Sequence, residues 1–263
     1  MQRFQKYLVE TIIFIALFSV SRSEGRLFMV TDTADSTNIN CLRGAIIAAN
    51  SSDEGQDNII LLESAGPRRG NPDGSTFYLT IPGPDETDSR TGDLDITRGN
   101  LSIIGMEKNV TIDATGLGDR VFQVFPKANL MLCNLTITGG TAPQAQPGSF
   151  YWATLAAEPG GAIYNAGVLT LRACVIRDNS SGSGNYDPGN GGGSGGADGG
   201  GIYNSGKLWM NNCIVRDNIA GVGVDSAFGG NGGGIKNDGV CYLTASAYTA
   251  IPAVQAAVRP VRL

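Results

Sequence analysis

Residues 160–169 read GGAIYNAGVL, and 39 residues later 199–208 read GGGIYNSGKL. The likeness runs on: Cys174-Val175-Ile176-Arg177-Asp178-Asn179 returns as Cys213-Ile214-Val215-Arg216-Asp217-Asn218. A third copy opens at Gly232, 33 residues after the second, with Ile235, Asn237, Gly239 and Val240 in step. A period of this length marks a stacked repeat, in which each unit is too short to bury its apolar side alone and does so against its neighbours. It constrains the fold more tightly than the function, because one solenoid scaffold serves many activities.

Between and before these copies the chain alternates apolar and polar residues in short runs. Strands are predicted over 27–31, 58–62, 76–81, 94–97, 101–104, 110–112, 121–125, 130–132 and 135–138, split by turn residues. Such short strands turn the chain too often for a sandwich or a doubly wound sheet. They suit coils that each carry two or three parallel strands, stacked at about 4.8 Å. In such a stack Asn165, Asn204 and Asn237 form one structural ladder, Asn179 with Asn218 another, and Cys174 lies beside Cys213. Those two cysteines read as free, buried, small apolar side chains, with a disulfide as the alternative in an exported chain. Leu42, Ala45, Ile46 and Ala49 form one helical stripe behind Asn40 as the expected N-cap, which places a short helix over the end of the stack.

Residues 1–23 have the pattern of a secretory leader: Arg3 and Lys6, an apolar run of about ten residues, and small residues before a cut near Ser23. The run is too short for a membrane span, and none is expected after the leader is removed. The chain holds 38 glycines, a net charge of −5 and no histidine. The charge argues against a nucleic-acid partner. The missing histidine removes the usual nucleophile–base pairs and most zinc sites. Catalysis would therefore fall to carboxylates, Lys, Arg, Tyr or an oxygen-held metal.

Further motifs carry a resemblance. Cys41-Leu42-Arg43-Gly44-Ala45-Ile46-Ile47-Ala48-Ala49-Asn50 resembles the opening segment of CSLREA-domain proteins, with no Ser after the Cys and Gly44 where that family has Glu. Thr91-Gly92-Asp93-Leu94-Asp95-Ile96, Asp119-Arg120-Val121-Phe122, Leu135-Thr136-Ile137-Thr138-Gly139-Gly140 and the GGGIYN coils are similar to the same family. The resemblance covers about residues 27–246. It implies an all-β, right-handed parallel β-helix of the pectin-lyase-like type, exported, adhesin-like or outer-membrane-protein-like, with no agreed catalytic residues to transfer. The expected organisation is a leader over 1–23, an N-terminal strand and capping helix over 24–57, β-helix coils over 58–246, and an atypical tail over 247–263. The tail reads either as a truncated or frame-shifted end or as a terminal cap.

Two charged constellations qualify as sites. Arg177-Asp178 and Arg216-Asp217 stack in successive coils, which would bring like charges close and call for the arginines or a Ca²⁺ ion to compensate. They are the catalytic and calcium candidates, in a reduced likeness of the pectate-lyase arrangement, with charge-paired surface turns as the alternative. Asp93 and Asp95, near Asp113 and Asp119 in sequence, are a second acidic group suited to hydrolysis if their separation fits, or else strand-edge acids. For binding, the long insertions 141–159, 180–197 and 221–231 leave the repeat at one point. They carry Phe150, Tyr151, Trp152 and Tyr186, aromatic residues suited to sugar or protein contact. The expectation is an exported, non-enzymatic, adhesin-like module whose partner is an extracellular glycan or a cell-surface protein. It needs no cofactor unless Ca²⁺ binds. A lyase or hydrolase acting on acidic glycans is the alternative.

Overall fold

The computed structural model describes residues 25–52, 56–63, 66, 75–83, 86–146, 155–187 and 192–248. Residues 1–23, the expected leader, and all but two residues of the expected tail lie outside them. The chain opens with β1 (Leu27–Val30), α1 (Leu42–Asn50), β2 (Asp57–Leu62) and β3 (Thr76–Tyr78). It then repeats one circuit. The first runs β4 (Leu94–Ile96), β5 (Gly99–Gly105), β6 (Thr111–Asp113), and the second β7 (Phe122–Val124), β8 (Ala128–Cys133), β9 (Thr136–Thr138). The third runs β10 (Ile163–Asn165), β11 (Val168–Arg172), β12 (Val175–Arg177). A two-stranded hairpin, β13 (Tyr186–Asp187) and β14 (Gly192–Gly193), interrupts before the fourth circuit. That circuit is β15 (Ile202–Asn204), β16 (Lys207–Asn211), β17 (Ile214–Arg216), and the fifth is β18 (Ile235–Asn237), β19 (Val240–Thr244), β20 (Ala247–Tyr248).

Each circuit adds one strand to each of three parallel sheets. The first sheet is β1-β2-β5-β8-β11-β16-β19, the second β18-β15-β10-β7-β4 and the third β20-β17-β12-β9-β6-β3. The architecture is dominated by β-structure, with one helix among the described residues, and is compatible with a parallel β-helix. Register follows the sequence repeat: Tyr164 pairs with Tyr203, Leu169 with Leu208, and Ile176 with Val215.

The pleat sends alternate residues inward. Leu94, Phe122, Ile163 and Ile202 in the second sheet, Leu101, Leu130, Leu169 and Leu208 in the first, and Ile112, Ile137, Ile176 and Val215 in the third merge into one core. Two asparagine ladders cross this interior. Asn165 Nδ2 donates to Asn204 Oδ1 at 2.6 Å, and Asn204 Nδ2 to Asn237 Oδ1 at 2.6 Å. Asn179 Nδ2 donates to Asn218 Oδ1 at 2.9 Å. Asn165 and Asn204 are both fully buried, so these bonds replace water that their amide N–H groups lost.

The helix covers the first coils as its stripe predicts: Leu42, Ala45, Ile46 and Ala49 are buried. Its N-cap is Cys41, not Asn40, and no side chain caps it. Cys41 is held extended because it bridges to Asp32 in parallel fashion and Asp32 N–H donates to the Asn40 carbonyl at 3.2 Å. The long insertions stack too, with bridges linking Thr141 to Ser180 and Ser180 to Ile219. No helix of the described residues is long and apolar enough to cross a membrane.

Gly44 has a physical reason to be glycine. A Cβ there would stand 2.0 Å from the Asn38 carbonyl oxygen, which is backbone and cannot swing away. Gly44→Ala is expected to lower stability by about 2 kcal/mol or more through this overlap, read as a drop in the urea midpoint. An unchanged midpoint would mean that the 37–44 turn yields freely.

Candidate functional site

The third sheet's strands end in a left-handed corner. Gly139, Asp178 and Asp217 occupy equivalent places after β9, β12 and β17, with φ of 75°, 55° and 56°. Aspartate is among the few side chains that tolerate this conformation, so the repeated Asp has a local reason. Arg177 pairs with Asp178, and Arg216 with Asp217, each through a guanidinium–carboxylate hydrogen bond to its immediate neighbour. All four side chains are a third to a half exposed. Arg177 and Arg216 do stand opposite each other across adjacent strands. The arginines supply the compensation that stacked carboxylates need. Among the described residues, no group of three or more His, Cys, Asp or Glu is placed to hold a metal ion.

The second acidic group is brought together in part. Asp113 lies on the third sheet, where its carboxylate accepts the Thr115 N–H at 2.8 Å. Asp93, Asp95 and Asp119 are buried on and beside β4. Arg120 reaches Asp93 at 3.8 Å and pairs with Glu158 and Gln123. Its guanidinium carbon lies 5.7 Å from the centre of the Tyr164 ring. Burial pulls the Arg120 pKa down, but Asp93, Glu158 and Asp119 outweigh it and hold the guanidinium above its ordinary value. Burial raises the Asp119 carboxyl above 3.8, against the lowering by Arg120.

A second buried cation supports the same region from the helix. Arg43 pairs with Asp35 at 2.7 Å, both side chains being fully buried. Its remaining N–H groups donate to the carbonyls of Ser89 at 3.0 Å and Gly92 at 2.9 Å. Asn50 clamps β4 with a 2.7 Å bond to the Asp95 carbonyl. The Cys41–Asn50 and Thr91–Ile96 motifs thus touch each other. Their charged residues fasten a helix to a coil and leave little of themselves for a ligand.

The outer faces of the sheets carry what the sequence reading missed. On the second sheet the row facing away from the core begins at Asp95, which is itself buried, and runs on through Gln123, Tyr164, Tyr203 and Lys236. The two tyrosine rings stack at 5.4 Å with 12° between planes. Tyr203 donates its hydroxyl to Asp238 at 2.8 Å, and Lys236 pairs with Asp238 at 3.0 Å and Asp198 at 3.3 Å. On the first sheet, Thr170, Trp209 and Tyr242 form an equivalent row. Trp209 and Tyr242 stack at 5.9 Å and 15°, and they are 37% and 55% exposed. With Thr170, Arg172, Asn211 and Thr244 they line an open depression of about 260 Å³. The signal was present: Tyr164 and Tyr203 share the repeat offset, and Trp209 and Tyr242 share the next one. Of the expected binding aromatics, Tyr186 is exposed in the β13–β14 hairpin, while Phe150, Tyr151 and Trp152 lie outside the described residues.

Comparison with protein-family models, curated proteins and solved structures finds no match to this chain.

Two outcomes follow from the Arg120 cluster. Arg120→Leu leaves Asp93 and Asp119 buried beside one another without their cation, and is expected to cost about 3–5 kcal/mol in denaturant unfolding. A loss under about 1 kcal/mol would show that the acids do not depend on it. Asp119 holds its proton more tightly folded than unfolded, so its contribution to stability is full below pH 3.8 and is lost as pH rises through the raised native value. Asp119→Asn should flatten that part of the stability–pH curve, and a slope that survives the substitution belongs to another group.

Proposed function

We propose that this chain is an exported, non-enzymatic binding module of CSLREA type: a right-handed parallel β-helix, cut from its leader near Ser23, acting adhesin-like at a cell surface or outside the cell. The observation that carries the binding role is the Trp209–Tyr242 stack, repeated at coil spacing and facing outward over an open depression. Flat, stiff aromatic faces gain contact area at low entropic cost. Arg172, Asn211 and Thr244 stand in register along one edge, a polar rim for hydroxyls or a carboxylate. This combination suits an extracellular glycan, whose sugar rings offer C–H faces to the aromatics. A cell-surface protein is the other partner in this reading. The charged residues that would make an enzyme are engaged: Arg177 and Arg216 each close on the adjacent aspartate.

The in-register repetition of these Arg–Asp pairs favours one second reading, a lyase acting on acidic glycans with Ca²⁺ at Asp178 and Asp217. One experiment separates the two. Residues 24–263 are titrated with neutral and uronic-acid oligosaccharides, with and without Ca²⁺, and the mixtures are assayed for new chain ends. The binding reading expects saturable binding without cleavage, weakened about tenfold by Trp209→Ala, a loss of about 1.4 kcal/mol. Cleavage abolished by Arg177→Ala or Arg216→Ala would replace it with the lyase. Absence of binding to every glycan would remove glycans as the partner.

A further inference from the structure

The corner between the first and third sheets holds one ladder position whose occupants change from coil to coil. Pairing of Thr136 with Val175, Val175 with Ile214 and Ile214 with Ala247 puts Leu135, Cys174, Cys213 and Ser246 in successive rungs. The two central rungs are thiols, each 1% exposed and each within the main core. Leu135 closes the ladder on one side. On the other, the Ser246 hydroxyl accepts the Cys213 N–H at 3.2 Å. The Cys174 Sγ lies 3.3 Å from the Arg172 carbonyl, and the Cys213 Sγ lies 3.3 Å from the Asn211 carbonyl, the equivalent group one coil on. The two side chains are therefore held in the same orientation on adjacent rungs.

We propose that Cys174 and Cys213 are a disulfide site, a covalent staple between two successive coils, made when the chain folds in an oxidising compartment. Neighbouring parallel strands lie about 4.8 Å apart. That separation falls inside the range of about 4.4–6.8 Å that a disulfide spans between α-carbons. The other cysteines are placed elsewhere. Cys133 belongs to a separate apolar cluster with Ile59, Leu61 and Ile104, Cys41 caps the helix, and Cys241 lies on β19 in the last circuit. The physiological setting rests on the export reading above, but the chemistry does not.

The reaction is exchange with a small disulfide such as oxidised glutathione. One cysteine thiolate attacks a glutathione sulfur, forming a mixed disulfide and releasing one glutathione thiol. The second thiolate displaces the other. The two cysteines lose two protons and two electrons, and the glutathione disulfide gains them. Both thiols are 1% exposed, so a small disulfide does not reach the docked pair and the bond forms while the third and fourth circuits are still coming together.

The test refolds residues 24–263 from denaturant in a glutathione redox buffer, alkylates under denaturing conditions and maps the peptides by mass. All five cysteines are thiols in this structure. Oxidative refolding is expected to consume two of them and to link the peptides bearing Cys174 and Cys213, and Cys133→Ser should leave that result intact. The oxidised protein should melt several degrees above the reduced one, and a Cys174→Ser/Cys213→Ser variant should show no difference between buffers. Five alkylated thiols after oxidative refolding, or a cross-link through Cys133, would overturn the proposal. The assay involves neither leader nor ligand, so its failure and a failure of glycan binding are distinguishable.

Discussion

Each coil is completed by the next. An inward leucine at position 169 is flanked by Leu130 in the coil on one side and Leu208 in the coil on the other. The inter-coil backbone hydrogen bonds fix that alignment, and a slip of one residue would turn every inward side chain outward. This is why the repeat is nearly literal at 163–165 and 202–204. It is also why polar residues survive inside. Asn165 is wholly buried, yet its amide donates to the equivalent amide one coil on, an interaction available only when both coils carry the same residue in the same place.

Residues were legible from the sequence where stacking alone decides their neighbours. The asparagine ladders, the Cys174–Cys213 adjacency and the strand alternation all follow from the offset between copies. The helix was legible from its apolar stripe, although its cap was not, because Cys41 is held by a bridge to Asp32 that no local pattern announces. Long-range charge pairing was opaque for the same reason. Arg43 finds carbonyls 46 and 49 residues away, and Arg120 finds Glu158 across an insertion. The outward aromatics were readable in principle. Tyr164 and Tyr203 repeat at the coil offset, so a ring-on-ring stack follows once the sheet is parallel and in register.

The placement of charge separates scaffold from surface. Arg43 beside the helix and Arg120 just before β7 are both buried and paired with carboxylates, so that the cost of removing them from water is offset only while their partners stay in place. Perturbed ionisation there reports structural pairing, a reminder that shifted groups mark active sites only when a ligand can reach them. On the sheet faces the pattern inverts. Charges are exposed and locally paired, and the rings are the features that repeat.

The two ends of the stack are not alike. At one, α1 lies over the first coils. At the other, Leu243 occupies an inward position equivalent to Met210, yet it is 45% exposed, and among the described residues no strand pairs beyond β18, β19 and β20. A chain built of nearest-neighbour contacts then has a direction. Among the described residues the last circuit pairs with one neighbouring circuit where each inner one pairs with two, so within the described stack it is held by the fewest inter-coil contacts. A stack of this kind yields to a pulling force one turn at a time. On the helix side that unwinding must first break the Arg43 clamp, so one buried guanidinium acts as the latch of the first turn.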